Sequence, residues 1–209
     1  MNQISAFSPT KRDPQRVMIR VDGKVVATLY RKLLEGLDLH IGQEWTPALE
    51  ARVEQEAAYD KALRAAMNRL NRRMMSRRDL ARKLKDLEHD TAVVQRVCDR
   101  LEELELLNDA AYGAALIRST NARKPAGPAL LRAKLMQKGL DRQLIDKLLS
   151  DHAGDTNEQV AQARQLIESK LRSMQRLEPQ VRQRRLWGML ARRGYNSDVI
   201  RDAMDVVEE

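Results

Sequence analysis

The chain is poor in the residues that mark chemistry or strand-rich cores. It holds one cysteine, one phenylalanine, two tryptophans and four tyrosines among 209 residues. The lone Cys98 excludes a disulfide framework and a thiolate zinc cluster, and it fits a reducing cytoplasm. His40, His89 and His152 are scattered, with no HExxH, no CxxC and no second ligand at helical spacing, so no metal centre is expected. Neither a P-loop nor a GxGxxG after a strand is present; no cofactor is expected, and any nucleotide belongs to a partner. No stretch approaches the roughly 20 apolar residues that span a bilayer, and Met1 to Pro9 lacks a basic start followed by an apolar run. The expectation is a cytoplasmic, non-catalytic protein without a membrane partner.

What is abundant is charge. Charged residues make up 33% of the chain and aromatics 3%, with nine glycines and six prolines, a composition suited to helices with polar outer faces. Hydrophobic residues at 43% are enough to offset the entropy of ordering. The net charge of +8 favours a polyanionic partner.

Residues 1–45 read as a flexible tail through Asp13 followed by a β-hairpin. Val17, Ile19 and Val21 alternate with polar neighbours, Asp22-Gly23 makes a type I′ turn, and Val25, Ala27 and Leu29 alternate on the return. Two strands do not stand alone, so the hairpin must lie on the apolar segment Leu33 to Leu39 or on the helices beyond. From Thr46-Pro47 the punctuation is helical. Further starts stand at Ser76 (with Asp79 three residues on), Asp90-Thr91, Asn108-Asp109, Gly127-Pro128, Asp141, Thr156-Asn157, Pro179 and Asn196-Ser197.

These helices fall into trios that superimpose on one another. Leu80, Leu84, Val94 and Val97 align with Leu131, Leu135, Ile145 and Leu148, then with Leu186, Leu190, Ile200 and Ala203, at offsets of 51 and 55 residues. Gly139-Leu140 matches Gly194-Tyr195, whereas the first trio has Leu87-Glu88-His89 there. The expected fold is therefore mainly α: three tandem three-helix repeats at 46–106, 107–155 and 156–209, stacked as an elongated curved rod behind the hairpin. In this register Cys98 matches Leu149 and Met204 and is a core position, His152 matches Leu101 and reads as a partly buried imidazole, and Trp187 reads as core. Glu102, Glu103, Glu105 and Asp109 read as a solvated acidic face.

Basic residues come in three runs, one per repeat. The first holds Lys61, Arg64, Arg69, Arg72, Arg73, Arg77, Arg78, Arg82, Lys83 and Lys85 against Asp79 alone. On the helix opened by Ser76, Leu80, Leu84 and Leu87 form an inward stripe while Arg78, Arg82 and Lys85 point outward. The second run is Arg118, Arg123, Lys124, Arg132, Lys134 and Lys138 with no acid among them. The third is Arg176, Arg182, Arg184, Arg185, Arg192 and Arg193 against Glu178. The scarcity of stacking aromatics favours phosphate or acidic side chains as targets over sequence-specific reading of single strands.

Three segments, Arg72 to Leu84 (RRMMSRRDLARKL), Leu107 to Tyr112 (LNDAAY) and Gly127 to Gly139 (GPALLRAKLMQKG), resemble the RecX family of recombination regulators, over about Ala57 to Glu209. The resemblance implies a row of three-helix repeats that binds the RecA recombinase filament on DNA. The partners expected are that filament and single- and double-stranded DNA without sequence preference, with the chain itself a monomer. It further implies restraint of strand exchange, ATP hydrolysis and co-protease activity, within DNA repair and the SOS response, by groove binding or by blocking filament extension. A helix-turn-helix regulator of transcription, reading duplex DNA in the major groove, is the alternative that exposed arginines on short helices leave open.

Overall fold

A computed structural model describes residues 2–205. The Asp22-Gly23 pair takes positive φ at both positions, as a type I′ turn requires, and joins β2 (Arg16–Val21) to β3 (Lys24–Tyr30) in antiparallel register. A bulge after Ile19 shifts the pairing, so Val25, expected to share the inward face, is 46% exposed. Residues up to Asp13 are not a tail throughout: β1 (Ile4–Pro9) pairs with β2, making a three-stranded sheet of order β1-β2-β3. The expectation missed β1 because its only fully inward apolar residue is Ile4, too little to show a period. A short helix, α1 (Arg31–Glu35), also escaped the sequence reading.

Among the described residues nine further helices follow, each start lying within a residue or two of its signal: α2 (Pro47–Leu70), α3 (Arg77–Lys85), α4 (Thr91–Glu103), α5 (Asp109–Arg123), α6 (Pro128–Gln137), α7 (Arg142–His152), α8 (Thr156–Met174), α9 (Pro179–Arg192) and α10 (Ser197–Met204). Thr46, Asp90, Asn108, Asp141, Asp155 and Asn196 accept backbone N–H groups of their own first turns, satisfying donors that the helix leaves orphaned. None of the helices is long and apolar enough to cross a membrane, among the described residues.

The chain divides into two compact units, one formed by residues up to Met74 with Leu80–Leu107, the other by Met75–Asp79 with residues from Asn108 on. In the first, Ile4, Ile19, Val21 and Leu29 of the sheet close over Leu37, Leu49 and Val53, so the sheet covers the α1 segment and the start of α2. Asp60 of α2, only 4% exposed, receives the guanidinium of Arg16 at 2.5 Å, and the same group donates to the Thr28 carbonyl at 3.1 Å. This pair fastens β2 and β3 to α2. Further along the unit Leu80, Leu84, Val94, Val97, Cys98 and Leu101 are buried, as the repeat register requires. Leu87 is an exception: it lies beyond the end of α3 and is 47% exposed.

In the second unit, two clusters carry the repeated pattern. One gathers Leu131, Leu135, Leu140, Ile145, Leu148 and Leu149 under Ile117 of α5; the other gathers Leu186, Leu190, Tyr195, Val199, Ile200 and Ala203 under Ala163, Leu166 and Ile167 of α8. Two expected core positions are outside. His152 is exposed in the last turn of α7, where Ala153 is buried instead, and Trp187 is 39% exposed on α9. A leucine register places a residue to within about one position, and on a helix one position is about 100° of rotation.

Left-handed glycines close the middle helices of this unit, and they do so for packing as well as for geometry. Gly194, at φ 86, ends α9 in contact with the start of α6: Gly127 donates its N–H to the Arg193 carbonyl at 2.9 Å and Ala129 donates to the Gly194 carbonyl at 3.1 Å. The orphaned carbonyls of one helix end thus satisfy the orphaned N–H groups of another helix start. Gly139, at φ 79, ends α6 against the segment that opens α3, where Ser76 donates its hydroxyl to the Lys138 carbonyl at 2.7 Å and accepts the Asp79 N–H at 3.1 Å. Glu88 occupies the equivalent position of the first repeat at φ 62 and is exposed. The left-handed turn is kept there without the crowding that demands glycine.

Two stability predictions follow from these contacts. A Cβ at Gly194 would lie 2.2 Å from the Leu130 nitrogen, so Gly194→Ala should cost at least about 2 kcal/mol. Gly23, with φ 80 but open space around it, should cost only about 1 kcal/mol on the same change, and Glu88→Gly should be neutral or stabilise by up to about 1 kcal/mol. Thermal or urea melts of the three variants check the ranking; equal losses at Gly194 and Gly23 would show that packing adds nothing. Asp60→Ala leaves the Arg16 guanidinium buried without its carboxylate and should lose about 3 kcal/mol, measurable as a lower midpoint in urea.

Candidate polyanion-binding surfaces

The basic runs divide into cations that hold the fold together and cations left to solvent. Arg193 is spent on structure: its guanidinium donates to the carbonyls of Lys124 and Pro125 and so clamps the segment before α6 to the end of α9. Lys138 reaches Asp79 at 3.3 Å, Arg132 reaches Asp146 at 2.5 Å, and Arg69 donates to the Ala65 carbonyl one turn earlier on α2. Arg82 and Arg77 also have partners within the protein. Arg182 is half-buried, with its Nε enclosed and unbonded among the described residues. Lys83 and Lys134 are half-buried on α3 and α6.

The remainder is exposed. Lys61, Arg64, Arg72, Arg73 and Lys85 in the first unit, and Arg78, Arg118, Arg123, Lys124, Arg184, Arg185 and Arg192 in the second, have side chains with no hydrogen-bond or ion-pair partner among the described residues. Arg78 and Lys85 are outward on α3, as the helical period requires. The positive field of the first run also registers on His89. Burial, and then the charges of Lys61 and Arg69, hold its imidazole below the ordinary histidine value of 6.5. The neutral form is therefore favoured near neutral pH. Its contribution to stability is present above that value and is lost as pH falls through the folded-state pKa.

Acidic residues of the first unit, Asp86, Glu88, Asp90, Asp99, Glu102, Glu103 and Glu105, are exposed. The arginines among them are paired locally: Arg100 reaches Glu103 at 2.8 Å, and Arg96 grips Glu56 through two nitrogens while lying 4.0 Å over the Tyr59 ring. Asp109 departs from the solvated face expected of it. It accepts the Arg77 N–H at 2.8 Å, and burial raises its carboxyl above the usual carboxylate value, with the Arg77 bond and charge acting the other way.

Two features of the second unit were not foreseen. A cleft of about 540 Å³ is lined by Arg78, Arg132 and Arg142 over an apolar floor of Met136, Leu140 and Ile145, with Met136 59% exposed. Arg142 was missed because it stands alone in the sequence, and the cleft forms only when the start of α3 meets α6 and α7. Trp187 was missed as a surface residue because an indole in a leucine-rich repeat reads as core. No group of three or more His, Cys, Asp or Glu side chains that could hold a metal ion occurs among the described residues.

Comparison with known proteins gives a consistent picture. Family models for the first, second and third three-helix domains of RecX match residues 58–101, 108–149 and 157–204 in that order. The regulatory protein RecX of Bacillus subtilis (strain 168) is 27% identical over 205 residues, covering 98% of this chain and 77% of its own. That of Mycobacterium sp. (strain KMS) is 34% identical over 161 residues, covering 75% and 81%. A crystal structure of regulatory protein RecX superimposes with a TM-score of 0.86 over 98% of this chain and 100% of its own at 24% identity. RecX from Lactobacillus salivarius gives 0.66 over 72% and 97% at 21% identity. At those identities the two structures speak for the fold, whereas three consecutive domain models and a relative at 34% identity speak for descent: this chain belongs to the RecX family.

Proposed function

We propose that this protein regulates homologous recombination in the cytoplasm by binding the RecA recombinase filament on DNA as a monomer, without altering a covalent bond. In this reading it inhibits the recombinase, ATPase and co-protease activities of the filament by occupying its groove, by blocking its extension, or both. The observation that carries the proposal is that every repeat keeps exposed cations unengaged by its own fold: Arg64, Arg72, Arg73 and Lys85 in the first, Arg118, Arg123 and Lys124 in the second, Arg184, Arg185 and Arg192 in the third. Family membership supplies the regulatory role, since the relatives are regulatory proteins by name. Several weak phosphate or carboxylate contacts on one chain act at high effective concentration and so add up to firm but salt-sensitive binding.

The test combines purified recombinase, single-stranded DNA, ATP and this protein, following filament length and ATP hydrolysis together. Both should fall as protein is added, and unchanged filaments with unchanged hydrolysis would remove the proposal. Loss at protein far below the recombinase concentration indicates blocked extension; loss only near saturation indicates groove occupancy. Replacing Arg64, Arg72, Arg73 and Lys85 with Ala should leave the melting curve in place, weaken inhibition, and reduce the salt slope of single-strand binding by up to about 3. Duplex competitors of scrambled and chosen sequence should compete alike; a preference of about a thousandfold would favour an operator-reading regulator instead.

A further inference from the structure

The outer face of α9 combines features that a solvated helix does not need. Leu186 and Leu190 are fully buried and fix the helix to its bundle, so the side chains on its exposed sides are presented from a rigid base. Trp187 is held 39% exposed on the flank of this helix. Arg184 lies one turn before it on the same side of the helix. Arg192 folds back along the flank, its guanidinium so close to Gly188 that a Cβ there would meet its Nη1 at 3.3 Å. Arg184, Arg185 and Arg192 are exposed without hydrogen-bond or ion-pair partners among the described residues, and no acid occurs between Glu178 and Asp198.

We infer that this face is a single-stranded nucleic-acid contact in which the Trp187 indole stacks on one unpaired base while Arg184, Arg185 and Arg192 hold the flanking phosphates. An acid-free run of guanidiniums complements a phosphodiester chain, and an exposed indole among them offers a flat surface to a base. Every base has a π-face, so the contact is indifferent to sequence; a duplex has its base faces already stacked, so the contact selects single strands. The inference rests on the DNA-binding part of the function proposed above and assigns it a residue that a purely electrostatic surface would not use.

The experiment uses the isolated full-length chain with no recombinase present, so failure to regulate filaments leaves its result standing. Trp45→Phe removes the other tryptophan, and emission then reports Trp187 alone. Titration with an oligothymidylate of about 15 nucleotides, within the usual span of single-strand sites, should quench that emission. Trp187→Ala should weaken binding about 5- to 150-fold, the range for loss of one stacked base, with the salt slope unchanged and Trp187→Phe intermediate. Joint replacement of Arg184, Arg185 and Arg192 with Ala should instead lower the slope by about 2. An oligonucleotide of equal length built of abasic sites keeps the phosphates and removes the stacking partner; it should bind the parent and Trp187→Ala proteins alike. The inference is overturned if the parent binds abasic and thymidylate strands equally, or if Trp187 emission is indifferent to saturating thymidylate.

Discussion

Helix ends satisfy one another in the second unit, and its architecture hangs on that exchange. A helix leaves carbonyls unpaired at its end and N–H groups unpaired at its start, and burying either alone is costly. Here the start of α6 donates through Gly127 and Ala129 to the carbonyls of Arg193 and Gly194, while Arg193 returns its guanidinium to the carbonyls of Lys124 and Pro125. Backbones can approach this closely only because neither Gly127 nor Gly194 has a Cβ. The joint at Gly139 works on the same logic with a hydroxyl in place of an amide, Ser76 bridging the Lys138 carbonyl and the Asp79 N–H. Opposite ends of helix dipoles also meet there, which adds a modest attraction.

That constraint sorts the basic residues. Cations next to a joint or facing a carboxylate are engaged within the protein: Arg193 and Lys138 at the joints, Arg16 on the buried Asp60, Arg96 on Glu56, and Arg132 on Asp146 at the surface. What remains is a surplus of exposed guanidinium and ammonium groups on α2 to α3, on α5 and its C-terminal end, and on α9. Self-repulsion among like charges is a cost to the free protein, and a polyanion relieves it. Burial first, and then the charges of Lys61 and Arg69, lower the affinity of the half-buried His89 for a proton.

Much of this was legible without coordinates. The leucine register that superimposes Leu80, Leu131 and Leu186 marks three residues that are all buried, and each capping residue from Thr46 to Asn196 opens a helix at or beside its place. Asp22-Gly23 set the turn of the hairpin through local backbone preference. The failures share a cause. β1 needs β2 as a template, α1 is too short to show a period, and Leu87, His152 and Trp187 sit at the ends or margins of stripes where the register alone does not choose a face.

Capping, turn geometry and apolar periodicity act over a few residues, so the chain carried in its own letters the helix starts, the repeat and the total surplus of positive charge. Which cations are free is another matter, because the carbonyls and carboxylates that engage Arg193, Lys138 and Arg16 lie dozens of residues away in sequence. The emergence of Trp187 beside Arg184 and Arg192 likewise depends on how α9 is rotated about its axis, and that rotation is fixed by what Leu186 and Leu190 pack against in the folded bundle.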